Sequence, residues 1–229
     1  GFYAHNKNRG CSYQIALDLI GSGFDYFAGG GVYDKFDDRK DPKYRGNVFE
    51  LAKKAGYQVS LDDRAAWSAL KPGSKSWSVF GAYGMQFAID ADGSQPTLAE
   101  LVAKGIEVLD NPKGFFLMAE CATPDGGNHG NNPARSVLGT VMADWMAATA
   151  LDFAAARGDT LVLITADHET GRVRAVTDKD GRVQITFGAT NRTEEPVALY
   201  AYGPGAELFA GTIDNTDIAK KVTALLDLE

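Results

Sequence analysis

Two short apolar runs in this chain each end in carboxylates and imidazoles, and no other feature constrains the fold as much. Phe115-Phe116-Leu117-Met118-Ala119 leads into Glu120, Asp125 and His129. Thr160-Leu161-Val162-Leu163-Ile164-Thr165-Ala166 leads into Asp167, His168, Glu169 and Thr170. Runs of this length read as buried strands. In open α/β sheets, ligands collect just beyond the carboxyl ends of strands. The sequence has 3 histidines, and two of them, His129 and His168, stand within four residues of an aspartate at such an end. Packing alone does not ask for that placement.

The rest of the chain alternates in the manner of a mostly parallel sheet wrapped by helices. Helices are predicted over 12–20, 45–55, 64–70 and 98–109, with Thr97 as an N-cap. Strands are predicted over 24–28, 57–60 and, more weakly, 76–81. After the strand at 115–119 the sequence reads as a glycine- and asparagine-rich loop. The longest helix follows, with Asn132 as its cap, Pro133 at its first position and Gly158 at its end. Leu138, Met142, Trp145, Thr149 and Phe153 recur along it at helical spacing and read as core. Segments 172–176 and 182–187 flank Asp178-Lys179-Asp180-Gly181 as a β-hairpin. A last strand at 197–202 and a terminal helix at 217–226 complete the series. No linker or repeat divides it, so the expectation is a single domain over 1–229.

Composition narrows the function classes. At 45% apolar and 23% charged residues the chain is ordinary for a globular protein. Its 23 basic against 30 acidic residues give a net charge of −7, which argues against a nucleic-acid surface. No uninterrupted apolar stretch approaches the roughly 18 residues that would span a bilayer, so no membrane partner is expected. The first residues lack an initiator Met, a basic region and an apolar core, so no leader is read there. Cys11 and Cys121 leave both a disulfide and two free thiols open. Gly29-Gly30-Gly31 lacks the residues of a phosphate loop and reads as a tight turn. Gly126-Gly127 and Gly203-Pro204-Gly205 are expected to shape loops around the site.

Aspartate and histidine together suit Zn²⁺, and two Asp/His pairs offer two half-sites of the kind that clamp a phosphoryl group. The spacing Glu120-x4-Asp125-x3-His129, followed by Asp167-His168 in Thr-Ala-Asp-His-Glu-Thr-Gly, resembles the alkaline phosphatase family, as does Tyr200-Ala201-Tyr202-Gly203-Pro204-Gly205. Ala4-His5-x3-Arg9 is similar to a family segment whose arginine grips the substrate phosphate. The likeness runs from about Phe2 to the end and corresponds to the C-terminal part of the family's catalytic domain. It implies a three-layer αβα sandwich. It also implies hydrolysis of small phosphomonoesters, with two Zn²⁺ and one Mg²⁺, in an exported, periplasmic or secreted homodimer. By the same resemblance Asp125 and His129 serve one zinc, Asp167 and His168 the other, Glu120 the magnesium, and Arg9 the phosphate. His5 is read as structural. Phosphodiesterase, phosphomutase and sulfatase relatives share such metal ligands, but the Ala-His-x3-Arg and Tyr-Gly-Pro segments are narrower signals.

The chain departs from the family pattern in two ways. The family's serine nucleophile, an early Asp ligand and a Thr ligand for magnesium would fall upstream of Gly1, so turnover by this chain alone is expected to be very low. A third zinc-binding histidine is usual ten residues before the tyrosine of Tyr-Gly-Pro, and Arg192 stands there. Smaller departures are Cys121-Ala122-Thr123-Pro124 before the aspartate and Arg172 after Thr-Gly. Two readings follow: part of an active phosphatase, or a non-catalytic relative that binds metal or phosphate without turnover.

Overall fold

The computed structural model describes residues 3–31 and 35–227. Gly1 and Phe2, at the start of the family likeness, lie outside them. The chain divides into two compact units, Gly1–Glu120 and Cys121–Glu229, each described by itself.

The first unit is built on a parallel sheet of β1 (Tyr26–Gly29), β2 (Gln58–Leu61) and β3 (Ser76–Val79), in the order β1-β3-β2. Ser76 pairs with both Tyr26 and Gln58, so β3 is the middle strand. Its four residues are all buried, although the sequence marked it as the weakest strand. That weakness came from Ser76 and Ser78. Inside the sheet the Ser60 hydroxyl donates to Ser78 Oγ at 2.8 Å, so a polar residue is accommodated there by a partner.

Helices α1 (Ser12–Gly21) and α2 (Val48–Lys54) bury Tyr13, Leu19, Val48 and Phe49 against Trp77 and Val79. Each such large apolar side chain contributes about 1.5–3 kcal/mol when fully buried. Asn47 caps α2 by accepting from the amides of Phe49 and Glu50. A second cluster joins Trp67 of α3 (Arg64–Ser68) to Phe80 and to Leu101 and Val108 of α4 (Leu98–Leu109). A capping box between Thr97 and Glu100 starts α4. Tyr26 ties the elements together. Its hydroxyl donates to the Leu101 carbonyl at 3.0 Å and accepts from the Trp67 indole at 3.1 Å. Burial pushes its phenol up to about 12, against the smaller lowering from the Trp67 bond.

The glycine run after β1 is a close backbone contact. A Cβ at Gly30 would lie 2.4 Å from the Gly84 Cα, which excludes any other residue. Segment 115–119 is not a strand and belongs to no ladder. It keeps a strand's alternation, with Phe115 and Leu117 half-buried and Phe116 and Met118 exposed. The apolar run thus dictates which side chains turn inward, while strand formation also needs a neighbour to hydrogen-bond.

In the second unit α5 (Thr123–His129) packs on α6 (Pro133–Arg157). The sequence read 120–131 as a loop because Gly126, Gly127 and Asn128 are poor helix formers. The structure makes Thr123–His129 helical, and the glycines have a steric reason. A Cβ on Gly127 would stand 2.5 Å from the Ser136 amide nitrogen, and one on Gly139 would stand 2.8 Å from the Pro124 nitrogen. Only two bare backbones allow helices this close.

α6 is capped by Asn132 and ends at the left-handed Gly158, as its sequence predicts. Its stripe is not core, however: Leu138 and Trp145 are exposed. Among the described residues it is also the one helix long and apolar enough, by length and composition, to cross a membrane. Runs of alanine interrupted by Asp144 and Asp152 hid that from a search for unbroken apolar residues.

Three antiparallel pairs follow: β4 (Val162–Thr165) with β9 (Leu199–Tyr202), β5 (Glu169–Thr170) with β8 (Arg192–Thr193), and β6 (Arg174–Thr177) with β7 (Val183–Thr186). The last of these is the predicted hairpin. α7 (Asn215–Leu225), capped by Asp214, closes the chain. Cys11 and Cys121 are both free and partly buried.

Candidate metal centre

α5 sets the first pair. Its last turn puts Asp125 and His129 at i and i+4, on one face of the helix, with His129 Nε2 3.5 Å from Asp125 Oδ1. The second pair sits at the carboxyl end of β4, where His168 Nε2 lies 3.1 Å from Asp167 Oδ2. His168 is largely buried and Asp167 largely exposed.

Thr170, on β5, joins the pairs. It is only 4% exposed. Its hydroxyl donates to Asp125 Oδ1 at 2.6 Å and lies 3.1 Å from His168 Nδ1. Sequence reading gave Thr170 no role of its own, because β5 is only two residues long and was not read as a strand. The available signal was its place two residues beyond an Asp-His pair, on the same side of an extended chain as His168.

The ring nitrogens are assigned by what they face. His129 Nδ1 lies 2.6 Å from the Thr190 carbonyl oxygen, and His168 Nδ1 lies 3.3 Å from that of Glu169. A carbonyl only accepts, so each Nδ1 carries the proton. The Thr170 hydroxyl has its own proton on Asp125 and therefore accepts from His168. In both rings the Nε2 lone pair then faces a carboxylate oxygen. Two such atoms attract only through a proton or a metal ion between them. This is the way metal-ligating histidines are held, with the far nitrogen donating to a carbonyl. Two ligand atoms on a tetrahedral zinc are about 3.3 Å apart, and 3.1 and 3.5 Å bracket that value. The donors fit a zinc ion in kind. In number each pair supplies two, and among the described residues no group of three or more His, Cys, Asp or Glu is gathered to hold a metal.

Glu169 braces the strand beneath. It accepts from the Thr193 hydroxyl and from the amides of Arg172 and Val173 at 3.2 and 3.1 Å. Burial pushes its carboxyl up, but the Thr193 bond, these amides and the Arg174 charge together outweigh that and hold it below its ordinary value.

The other predicted residues lie in the first unit. Arg9 is exposed, in a turn where Asn6 and Asn8 side chains accept from the amides of Asn8 and Gly10. Glu120 is exposed at the end of the extended segment. The Gly203-Pro204-Gly205 turn is not at the centre. β9 runs antiparallel to β4, so Tyr202 pairs with Val162, at the opposite end of β4 from Asp167. Gly203 is needed there because a Cβ would lie 2.1 Å from the Thr160 carbonyl oxygen.

Comparison with known proteins identifies the relatives of this arrangement. The profile of the alkaline phosphatases matches residues 1–185. The chain belongs to the alkaline phosphatase family. Alkaline phosphatase H of Pseudomonas aeruginosa (strain UCBPP-PA14) is 38% identical over 152 residues, which cover 58% of this chain and 32% of that protein. The streptomycin-6-phosphate phosphatase of Streptomyces griseus is 29% identical, over 94% of this chain and 58% of its own length. The alkaline phosphatase of the Antarctic bacterium TAB5 matches in structure with a TM-score of 0.86 at 30% identity, over 100% of this chain and 68% of that one. A variant of the TAB5 enzyme has Mg bound in its M3 site. This chain therefore has the α/β fold of the family while spanning about a third of the first curated relatives it matches.

Proposed function

We propose that this chain supplies the metal- and phosphate-binding part of a site that hydrolyses small phosphate monoesters. Family and fold support a phosphatase. The single observation that carries the reading is the orientation of both histidines, each with Nδ1 on a backbone carbonyl and Nε2 facing an aspartate. Asp125 with His129, and Asp167 with His168, would hold zinc, Glu120 would hold magnesium, and Arg9 would grip the phosphate. Ions held there would offset the negative charge of the phosphoryl group.

The chain's own residues do the rest. Thr170 holds the Asp125 carboxylate and fixes the His168 tautomer, so both donors are oriented before a ligand arrives. The guanidinium of Arg9 offers two parallel donors to a phosphate. We read the two units as parts of one catalytic domain, in a homodimer exported to the periplasm or secreted.

A second reading has its own observation. Each half-site has two protein donors, and Arg192 stands where a third would be, which favours a relative that binds metal or phosphate without turnover. Release of nitrophenol from p-nitrophenyl phosphate, with zinc and magnesium supplied, separates the readings. The first predicts slow release that a chelator stops and that His168→Ala lowers at least tenfold. Release indifferent to both would contradict it. Zinc uptake without any release selects the second.

A further inference from the structure

The pairing of β5 with β8 brings Arg192 to the metal centre. Glu169 stands opposite Thr193 and Thr170 opposite Arg192. Directly opposed residues of an antiparallel pair project from the same face, as the bond from the Thr193 hydroxyl to Glu169 demonstrates. Thr170 and Arg192 share the other face, the one on which Thr170 meets Asp125 and His168. The Gly171 amide donates to the Asn191 carbonyl at 3.1 Å, which makes 171 and 191 a hydrogen-bonded pair. Thr170 and Arg192 are then a non-hydrogen-bonded pair, the closer kind, with Cα atoms about 4.5 Å apart.

Arg192 is also uncommitted. Its side chain is exposed, and it makes no ion pair among the described residues. The nearby acidic residue Glu195 instead faces Arg172 and Arg174 at 3.9 and 3.8 Å. A guanidinium left free opposite Thr170, the residue that joins the two Asp/His pairs, suits an anion that those pairs, once they carry cations, also attract.

We propose that Arg192 binds the phosphoryl group at this centre. Its planar fork takes two phosphate oxygens, and the strand register holds its Cα close beside Thr170. The inference rests on reading the site as one for phosphate esters. It gives the second unit a phosphate-binding residue of its own.

Titration of inorganic phosphate into the zinc-supplied chain, with zinc content measured on the same samples, tests this. Arg192→Gln should weaken phosphate binding at least tenfold and leave zinc per chain unchanged. Arg192→Lys, a point charge without the fork, should recover only part of the loss. Unchanged phosphate affinity in a folded Arg192→Gln chain overturns the proposal. So does a rise in zinc per chain with phosphate binding kept, since Arg192 would then be a cation that keeps metal out. A wild-type chain that binds no phosphate overturns it as well. A chain that takes no zinc but binds phosphate through Arg192 leaves the inference standing and sinks the metal reading. Zinc uptake with phosphate binding indifferent to Arg192 does the reverse.

Discussion

The Thr170 hydroxyl donates to Asp125 Oδ1 at 2.6 Å, across 45 residues of sequence, and so joins a helix-borne Asp/His pair to a strand-borne one. Thr170→Val keeps the shape and removes the bond. Outer-shell partners of this kind are typically worth about 10–100-fold in metal affinity. Zinc affinity of Thr170→Val, measured by competition with a chromophoric chelator, should fall by that order, and Thr170→Ser should stay near wild type. Equal affinity in all three would remove Thr170 from the account.

The α5–α6 crossing depends on Gly127 and Gly139. Gly139→Ala forces a methyl group into backbone atoms and should cost about 1–3 kcal/mol, the range for overpacking. Gly130→Ala is the control, because a Cβ there meets nothing nearer than 3.5 Å. Urea melts of the two variants should separate clearly. Equal stability would mean that the helices do not approach this closely.

Tyr26 predicts an alkaline limit. Its phenol is raised to about 12 from an ordinary 10.0, so its contribution is complete below pH 10 and is lost as pH rises through 12. Tyr26→Phe leaves the Trp67 indole without its acceptor and should cost about 1–3 kcal/mol at neutral pH. The gap between wild type and variant should narrow in melts above pH 10. A constant gap would contradict the assignment.

Glu169 predicts the acid side. Its carboxyl is held below its ordinary value, so its contribution is present above the unfolded value of about 4.3 and is lost as pH falls through the folded one. Thermal melts of Glu169→Gln should trail wild type at neutral pH and approach it below about pH 4. A gap that persists into acid would show that the contribution is not ionic.

Elements with regular periodicity or caps were legible in the sequence: α1, α4 and its Thr97 cap, α6 with Asn132 and Gly158, and the β6–β7 hairpin. The two Asp/His pairings were legible from their spacing, but only Asp167 and His168 follow a strand; Asp125 and His129 lie on α5, where the sequence was read as a loop after a strand. β3 was undervalued because Ser78 finds its partner, Ser60, only in the folded sheet. α5 was missed because local propensity cannot register that a glycine is needed where another helix passes. Arg192 was read from the sequence only as a departure from the family pattern, and its place opposite Thr170 needed the strand register, which a single sequence does not contain.

Zinc held by Asp125, His129, Asp167 and His168 is the proposal on which the others stand. Elemental analysis of the purified chain, with His168→Ala alongside, tests it most directly. Bound zinc is expected in the wild-type chain, and its loss in His168→Ala. A chain folded by circular dichroism yet free of zinc after incubation with the metal would contradict it.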